Sequence, residues 1–397
     1  MRMEYRKFSK FIEKVQYGFT ADETSTISGD AKYLRITDIV PYFVDKDRVP
    51  YCTIPQKKKE QYLVKENDLL IARTGATTGY NLIIPKGFED YIFASYLVRI
   101  YYNQRELYPL YLKHVLKSQQ YYSFVNNYIG GSAQPGMNPR AFGRFEVPYF
   151  DYDQQKQIAA VLSTYDNLIE VNNKRIKVLE EMAENLYKEW FVRFRFPGHE
   201  SVPFENGLPQ GWRKAKLKDI AIEVEKPIKA ERRTEYQHYL PIDTLPSRRM
   251  ALLEEDEIDN AESSLLAFEE GDILIGAMRP YFHKVILAPF KGLTRSTCFV
   301  VNSINPKYRL YLYLLLFQDS SINYATTVSV GSTMPYARWK DFSRLNIIFP
   351  AISVIERFNH YVEPIMTQII ESYSTCCNLS RQRDMLLPRL MSGKLEV

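Results

Sequence analysis

The sequence predicts an α+β protein built from two similar mixed α/β domains, related by internal duplication and separated by two long helices. Three observations predict it. Matching segments recur at an offset near 200 residues, a helical seam follows each copy at that offset, and each half alternates strand-like aliphatic runs with short polar loops.

The duplication is clearest late in each copy. GGSAQPGMNPRAF, which contains Ser132, lies 200 residues before VGSTMPYARWKDF, whose Ser332 follows Val330 and Gly331; both run into strand-like segments, RFEVPYF and RLNIIFP. No shorter period occurs, which excludes a solenoid. Upstream, YLRITDI from Tyr33 matches YLPIDTL from Tyr239, and NDLLIAR around Asp68 matches GDILIGA around Asp272, with offsets drifting between 204 and 209. Loops of unequal length on a shared scaffold produce such drift, and variable loops on a rigid scaffold suit divergent recognition surfaces.

The helices come next. Ile158, Leu162, Tyr165, Ile169, Asn172, Ile176, Leu179, Ala183, Leu186 and Trp190 alternate steps of four and three, the pattern of a coiled-coil seam. The counterpart reads Phe358, Val362, Ile365, Ile369, Ser372, Cys376, Leu379, Arg383, Leu386 and Leu390, so the polar seam residue Asn172 is matched by Ser372. A helix that merely covered its own domain could be shorter: Ile158 to Trp190 spans roughly 48 Å at about 1.5 Å per residue. The two helices are therefore expected to pair. Arg383 departs from the apolar rule, and Pro364 is expected to limit or kink the first turn of the last helix. The organisation reads as a first domain over 1–150, a spacer helix over 151–195, a second domain over 196–350 and a final helix over 351–397. A tyrosine-rich helix is expected from about Tyr108 to Phe124, with a match near Tyr308 to Phe317, and Pro197 to Trp212 reads as a linker.

Composition narrows the function. The first 150 residues carry 21 Lys and Arg against 15 Asp and Glu, a surplus that exceeds the net +5 of the whole chain. In the second domain eight acids crowd between Glu254 and Glu270 and offset its basic residues. A modest basic excess is compatible with nucleic acid without requiring it. Four cysteines without CxxC spacing and five scattered histidines indicate neither a disulfide framework nor a metal site. No apolar run approaches a membrane span and the first residues lack a signal-peptide pattern, so a cytoplasmic location is expected.

LYKEWFVRFRFPGHE from Leu186, LPQGWRKAKLKDI from Leu208 and the terminal LLPRLMSGKLEV resemble the specificity subunits of type I restriction-modification systems, and the resemblance covers essentially the whole chain. NDLLIARTGATTGY and GGSAQPGMNP are similar to recurrent stretches of their target-recognition domains. The resemblance implies that each domain reads one half of a bipartite duplex DNA target. It also implies that the helices form an antiparallel coiled coil, set the gap and dock two modification subunits. Those subunits would hold S-adenosylmethionine and methylate adenine, and where restriction subunits join, two of them would use ATP and Mg²⁺ to cleave. This chain would hold no cofactor or metal and catalyse nothing. GDILIGAMRPYFHK departs from the first copy, so the glycine-containing loop is not carried over to residues 276–284.

Absent motifs agree with that reading. No NPPY or NPPF stretch for holding a flipped base and no GxxxxGK[ST] phosphate loop occurs. Gly75 to Gly79 lacks the lysine of a nucleotide loop, and the consecutive acids Glu254 to Asp259 read as a solvated face rather than a metal cluster. Base reading needs paired donors and acceptors on loops that can enter the major groove. Arg73, Thr74, Thr77, Thr78 and Asn81, with Gln134, Asn138 and Arg140, meet that need in the first domain. Arg279, Tyr281, His283 and Lys284, with Ser332, Thr333 and Arg338, meet it in the second. Capping or turn-making is the competing role for each. Two rival readings are an enzyme with degenerate methyltransferase or nuclease motifs and a purely structural coiled-coil adaptor. Trp190 and Phe191 are expected to await a partner.

Overall fold

The structure, a computed structural model, describes residues 4–22, 24–129, 136–252, 254–392 and 395. Two compact units result, Met1–Glu170 with Asn378–Val397 and Val171–Cys377. Each contains one copy of the duplicated domain and a portion of both long helices, Tyr152–Tyr187 and Ile352–Met391.

In the first unit the aliphatic runs form an antiparallel sheet in the order Ile12–Tyr17, Leu97–Tyr102, Leu69–Ala72, Asn81–Ile83. A second sheet orders Thr24–Ser25, Tyr51–Cys52, Ala31–Leu34, Tyr91–Phe93, its last pair parallel. Glu4–Lys7 pairs with Glu146–Tyr149. Leu69 and Ile71 face one core and Leu70 and Ala72 another, the period-2 alternation of a strand buried on both faces. Ile158, Ala159 and Leu162 of the central helix and Leu387, Leu390 and Met391 of the final helix complete the first core.

The second unit repeats the plan. Its sheet runs Ala221–Glu223, Cys298–Ser303, Ile273–Gly276, Val285–Leu287; a smaller sheet joins Pro227–Ile228, Leu265–Phe268 and Gly292–Arg295, and Arg213–Lys216 pairs with Asn346–Phe349. The two helices of seam-forming sequence are antiparallel there: Cys376 faces Asn173, Arg175 Nη2 donates to Gln368 Oε1 at 3.0 Å, and the Trp190 ring meets Phe358 at a tilt and Tyr361 edge-on. Ile176, Leu179, Val362, Ile369, Ser372 and Cys376 are buried, while Asn172 and Leu186 are half-buried. In the first unit Ile169 and Arg383 are buried and Leu379 and Leu386 half-buried.

Four local expectations are corrected. The tyrosine-rich helix divides into Pro109–Val115 and Gln119–Ile129, because Ser118 Oγ donates to Val115 O at 2.6 Å and accepts from Tyr121 N at 3.2 Å. Pro364 lies inside the continuous helix Ile352–Met391, where burial of Val362, Met366 and Ile369 holds the path despite the lost N–H. The linker contains a hairpin, Phe204–Glu205 with Leu208–Pro209, whose Asn206-Gly207 turn takes φ of 52° and 77°. Trp190 and Phe191 end in a π-helical turn, Lys188–Val192, buried against Phe358, Tyr311 and Trp212 of their own unit rather than left open.

Candidate nucleic-acid interface

In each unit the third strand of the main sheet delivers a loop that is joined to a second, distant loop. In the first unit Thr74 bridges Gly136, and Met137 N donates to Arg73 O at 2.9 Å. Arg73, Thr74 and Thr77, half-buried, are thereby brought beside the exposed Asn138 and Arg140. Gln134 lies outside the described residues. Arg73 Nε donates to Ser95 O at 3.3 Å and its guanidinium lies 5.1 Å from the Tyr17 ring centroid. Tyr17 and Tyr96 are exposed on this ridge and were missed by sequence reasoning, since nothing local marks them among 30 tyrosines. Asn138 Oδ1 accepts from Ala141 N at 2.9 Å, an N-cap of Pro139–Phe142.

Two candidates fall away from the surface. Asn81 is fully buried, its Nδ2 donating to Leu116 O at 2.7 Å and Gly79 O at 3.2 Å, and Thr78 Oγ1 donates to Gly75 O at 2.7 Å beneath the loop. Neither side chain can reach a base edge from there; Thr78 holds the loop, and Asn81 ties it to the carbonyl that follows Pro109–Val115.

In the second unit Met278 bridges Tyr336, Ala337 N donates to Ala277 O at 2.9 Å, and Arg279 N donates to Pro335 O at 2.7 Å. Arg279 and the exposed Tyr281 thus lie with the hairpin carrying exposed Ser332, Thr333 and Arg338. His283 is buried with Nε2 2.8 Å from Phe317 O, the counterpart of the Asn81 contact to Leu116; burial, then Arg248, lowers its pKa. It too is removed from the surface candidates. Lys284 Nζ donates to Ile242 O at 2.6 Å, and Arg338 Nε lies 3.2 Å from Asp341 Oδ2.

The glycine-containing loop does carry over, contrary to the sequence reading. Ala72 N donates to Tyr80 O at 2.8 Å and Gly276 N to Lys284 O at 2.9 Å, closing equivalent loops. Gly75 and Gly79, with φ of 78° and 89°, are replaced in the second unit by Arg279 and His283, with φ of 49° and 54°. The two ridges differ in chemistry. Val15 pairs with Ile100, and at the same register of the second sheet Glu223 pairs with Val301. Burial, then the charge of Glu225, raises Glu223 to about 7.

Among the described residues no group of three His, Cys, Asp or Glu could hold a metal ion, and no helix is long and apolar enough to cross a membrane.

Two like units, each presenting a ridge of paired loops, define a duplicated recognition protein rather than one built around a single catalytic cleft. The family described as type I restriction modification DNA specificity domain matches the chain twice, over residues 24–181 and 209–377, and the chain belongs to that family, whose members are recognition rather than catalytic subunits. The type I restriction enzyme MjaIX specificity subunit of Methanocaldococcus jannaschii is 28% identical over 350 residues, covering 82% of this chain and 74% of that protein. The type I restriction enzyme HindI specificity subunit of Haemophilus influenzae is 21% identical, covering 84% of this chain and 87% of its own. The crystal structure of the type I restriction-modification S subunit from M. genitalium superposes with a TM-score of 0.56 at 14% identity, covering 98% of this chain and 96% of that one. The chain is a specificity subunit of a type I restriction-modification system.

Proposed function

We propose that each domain reads one half of a bipartite duplex DNA target, and that the paired helices set the gap and dock two modification subunits. The observation that carries this reading is the equivalent joining of two loops in both units, at Thr74 with Gly136 and at Met278 with Tyr336. It yields two ridges of one backbone plan whose side chains differ, as reading two different sequences requires. S-adenosylmethionine belongs to the modification subunits, and ATP and Mg²⁺ to restriction subunits where these join; the complex acts in the cytoplasm on genomic DNA.

The test is reconstitution. The chain with its modification subunits and S-adenosylmethionine should methylate one bipartite motif, mapped by single-molecule sequencing of plasmid DNA, while the chain alone should transfer no methyl group. Methylation by the isolated chain, or a continuous motif without an unread gap, would overturn the reading.

A further inference from the structure

Arg279 is an L residue held in the left-handed region, at φ 49° and ψ 60°, where the first unit has Gly75. A Cβ in that conformation crowds its own carbonyl, so a non-glycine residue persists there only where something outweighs the strain. His283, in the place of Gly79, shows such compensation, because its buried ring meets Phe317 O at 2.8 Å. For Arg279 no side-chain contact among the described residues does so. Its Nε is buried without an acceptor, and among the described residues no carboxylate or carbonyl pairs with its guanidinium. Its backbone, in contrast, is clamped on both sides: N donates to Pro335 O at 2.7 Å and O accepts from Phe282 N at 3.0 Å.

The other cationic candidates of the ridge differ. Lys284 is bound to Ile242 O, Arg338 to Asp341, and His283 is inside. A phosphate needs only a nearby positive charge, which Arg338 or a lysine supplies without backbone strain. A guanine edge presents two acceptors, N7 and O6, at fixed spacing, and rewards a fork whose direction is set in advance.

We infer that Arg279 is a specificity-determining residue of the second domain, its guanidinium directed by the left-handed backbone to read the N7 and O6 of one guanine in the major groove. This rests on the proposal that the domain reads a half-site.

Arg279→Gly is the decisive variant, because it copies Gly75, removes the fork and relieves the strain together. In complex with the modification subunits it should melt no lower than the wild type and still read the first half-site. Discrimination for guanine at one position of the second half-site should drop at least about tenfold. Arg279→Lys should not restore it. Two results would overturn the inference: unchanged preference in Arg279→Gly, or a loss spread evenly over all sequences and rescued by lysine, which marks a phosphate contact. A wild-type complex that modifies no bipartite target would instead overturn the half-site reading itself, and the inference with it.

Discussion

Arg383 Nη1 lies 2.9 Å from Asp166 Oδ1 with both side chains buried, so the charged residue on the final seam is part of an ion network rather than a flaw in the packing. Asp166 also accepts from Tyr42 Oη at 2.9 Å and from Lys113 Nζ at 2.6 Å, and the Arg383 guanidinium lies 4.0 Å from the Tyr42 ring centroid. Burial pushes the Asp166 carboxyl up, but Lys113 and the other positive partners outweigh it and hold the group below its ordinary value. Removing the carboxylate leaves the half-buried Lys113 without its ion pair and the buried Arg383 with Asp384 as its one remaining carboxylate. Asp166→Ala should therefore destabilise the first unit by about 3–5 kcal/mol in urea unfolding. Arg383→Leu leaves Asp166 with Lys113 and Tyr42 and should have the smaller effect. Equal losses would show that Lys113 and Tyr42 do not sustain the carboxylate alone.

A pH dependence follows from the neighbouring His114. Burial lowers its pKa to about 4, and its Nε2 lies 3.3 Å from Ser163 Oγ. Asp166 raises the value, while Lys113 and Arg383 lower it further. The unfolded chain protonates this histidine near 6.5, so between pH 6.5 and 4 the unfolded state binds more protons and stability falls as pH falls. The loss at pH 5 should reach about 2 kcal/mol for this one group. Calorimetry of the wild type and His114→Gln at pH 7 and pH 5 checks it: the variant should show a markedly smaller drop. Parallel drops would place the acid sensitivity elsewhere.

The helices and the duplication were legible in the sequence because both are written in hydrophobic spacing. Ile158 to Trp190 keeps steps of three and four that only a buried stripe requires, and the strands at Leu69 and Ile273 keep the same aliphatic run. The loop after those strands was not legible in the second copy. Its path is set by backbone hydrogen bonds, Gly276 N to Lys284 O above all, and these carry no residue identity. Burial of polar loop residues was equally hidden. Asn81 has the composition of a reading residue, yet its amide meets the carbonyl that ends Pro109–Val115, a partner 35 positions away. Glu180 is a further case. Its carboxylate accepts from Met250 N at 2.7 Å, Ala251 N at 3.0 Å and Arg249 Nε at 2.8 Å, a docking of loop on helix that no spacing announces.

Asn138 combines a cap with a place on the ridge, and the two roles can be separated. Asn138→Ala loses the acceptor for Ala141 N and should destabilise the first unit by about 1 kcal/mol. Asn138→Ser keeps a capping oxygen and should melt like the wild type. If Asn138 also touches a base, the serine variant still changes preference at one position of one half-site, read by methylation mapping. Arg140→Ala should act on that same half, and Arg338→Ala on the opposite half only. Loss of both halves from either arginine variant would mean that the ridges are not independent readers.

The last prediction concerns the helices as a ruler. In the second unit Asn173 faces Cys376, and antiparallel progression sets Ile176 against the turn containing Ser372. One heptad inserted after Ile176 and another after Ser372 would therefore lengthen both helices at one level and preserve the seam. Each insertion adds seven residues, or about 10 Å, which is roughly three base pairs. Three pairs also rotate one half-site by about 100° relative to the other, since the duplex turns once in about 10.5 pairs. The variant complex must absorb that rotation, so its overall rate should fall even where its target is right. The half-site sequences themselves should not change, because neither ridge is touched. Mapping the sites that the assembled variant methylates separates the two possibilities. A gap longer by about three pairs, with both halves unchanged, is the expected outcome. Retention of the original gap with undiminished preference would mean that the helices carry the domains without fixing their spacing.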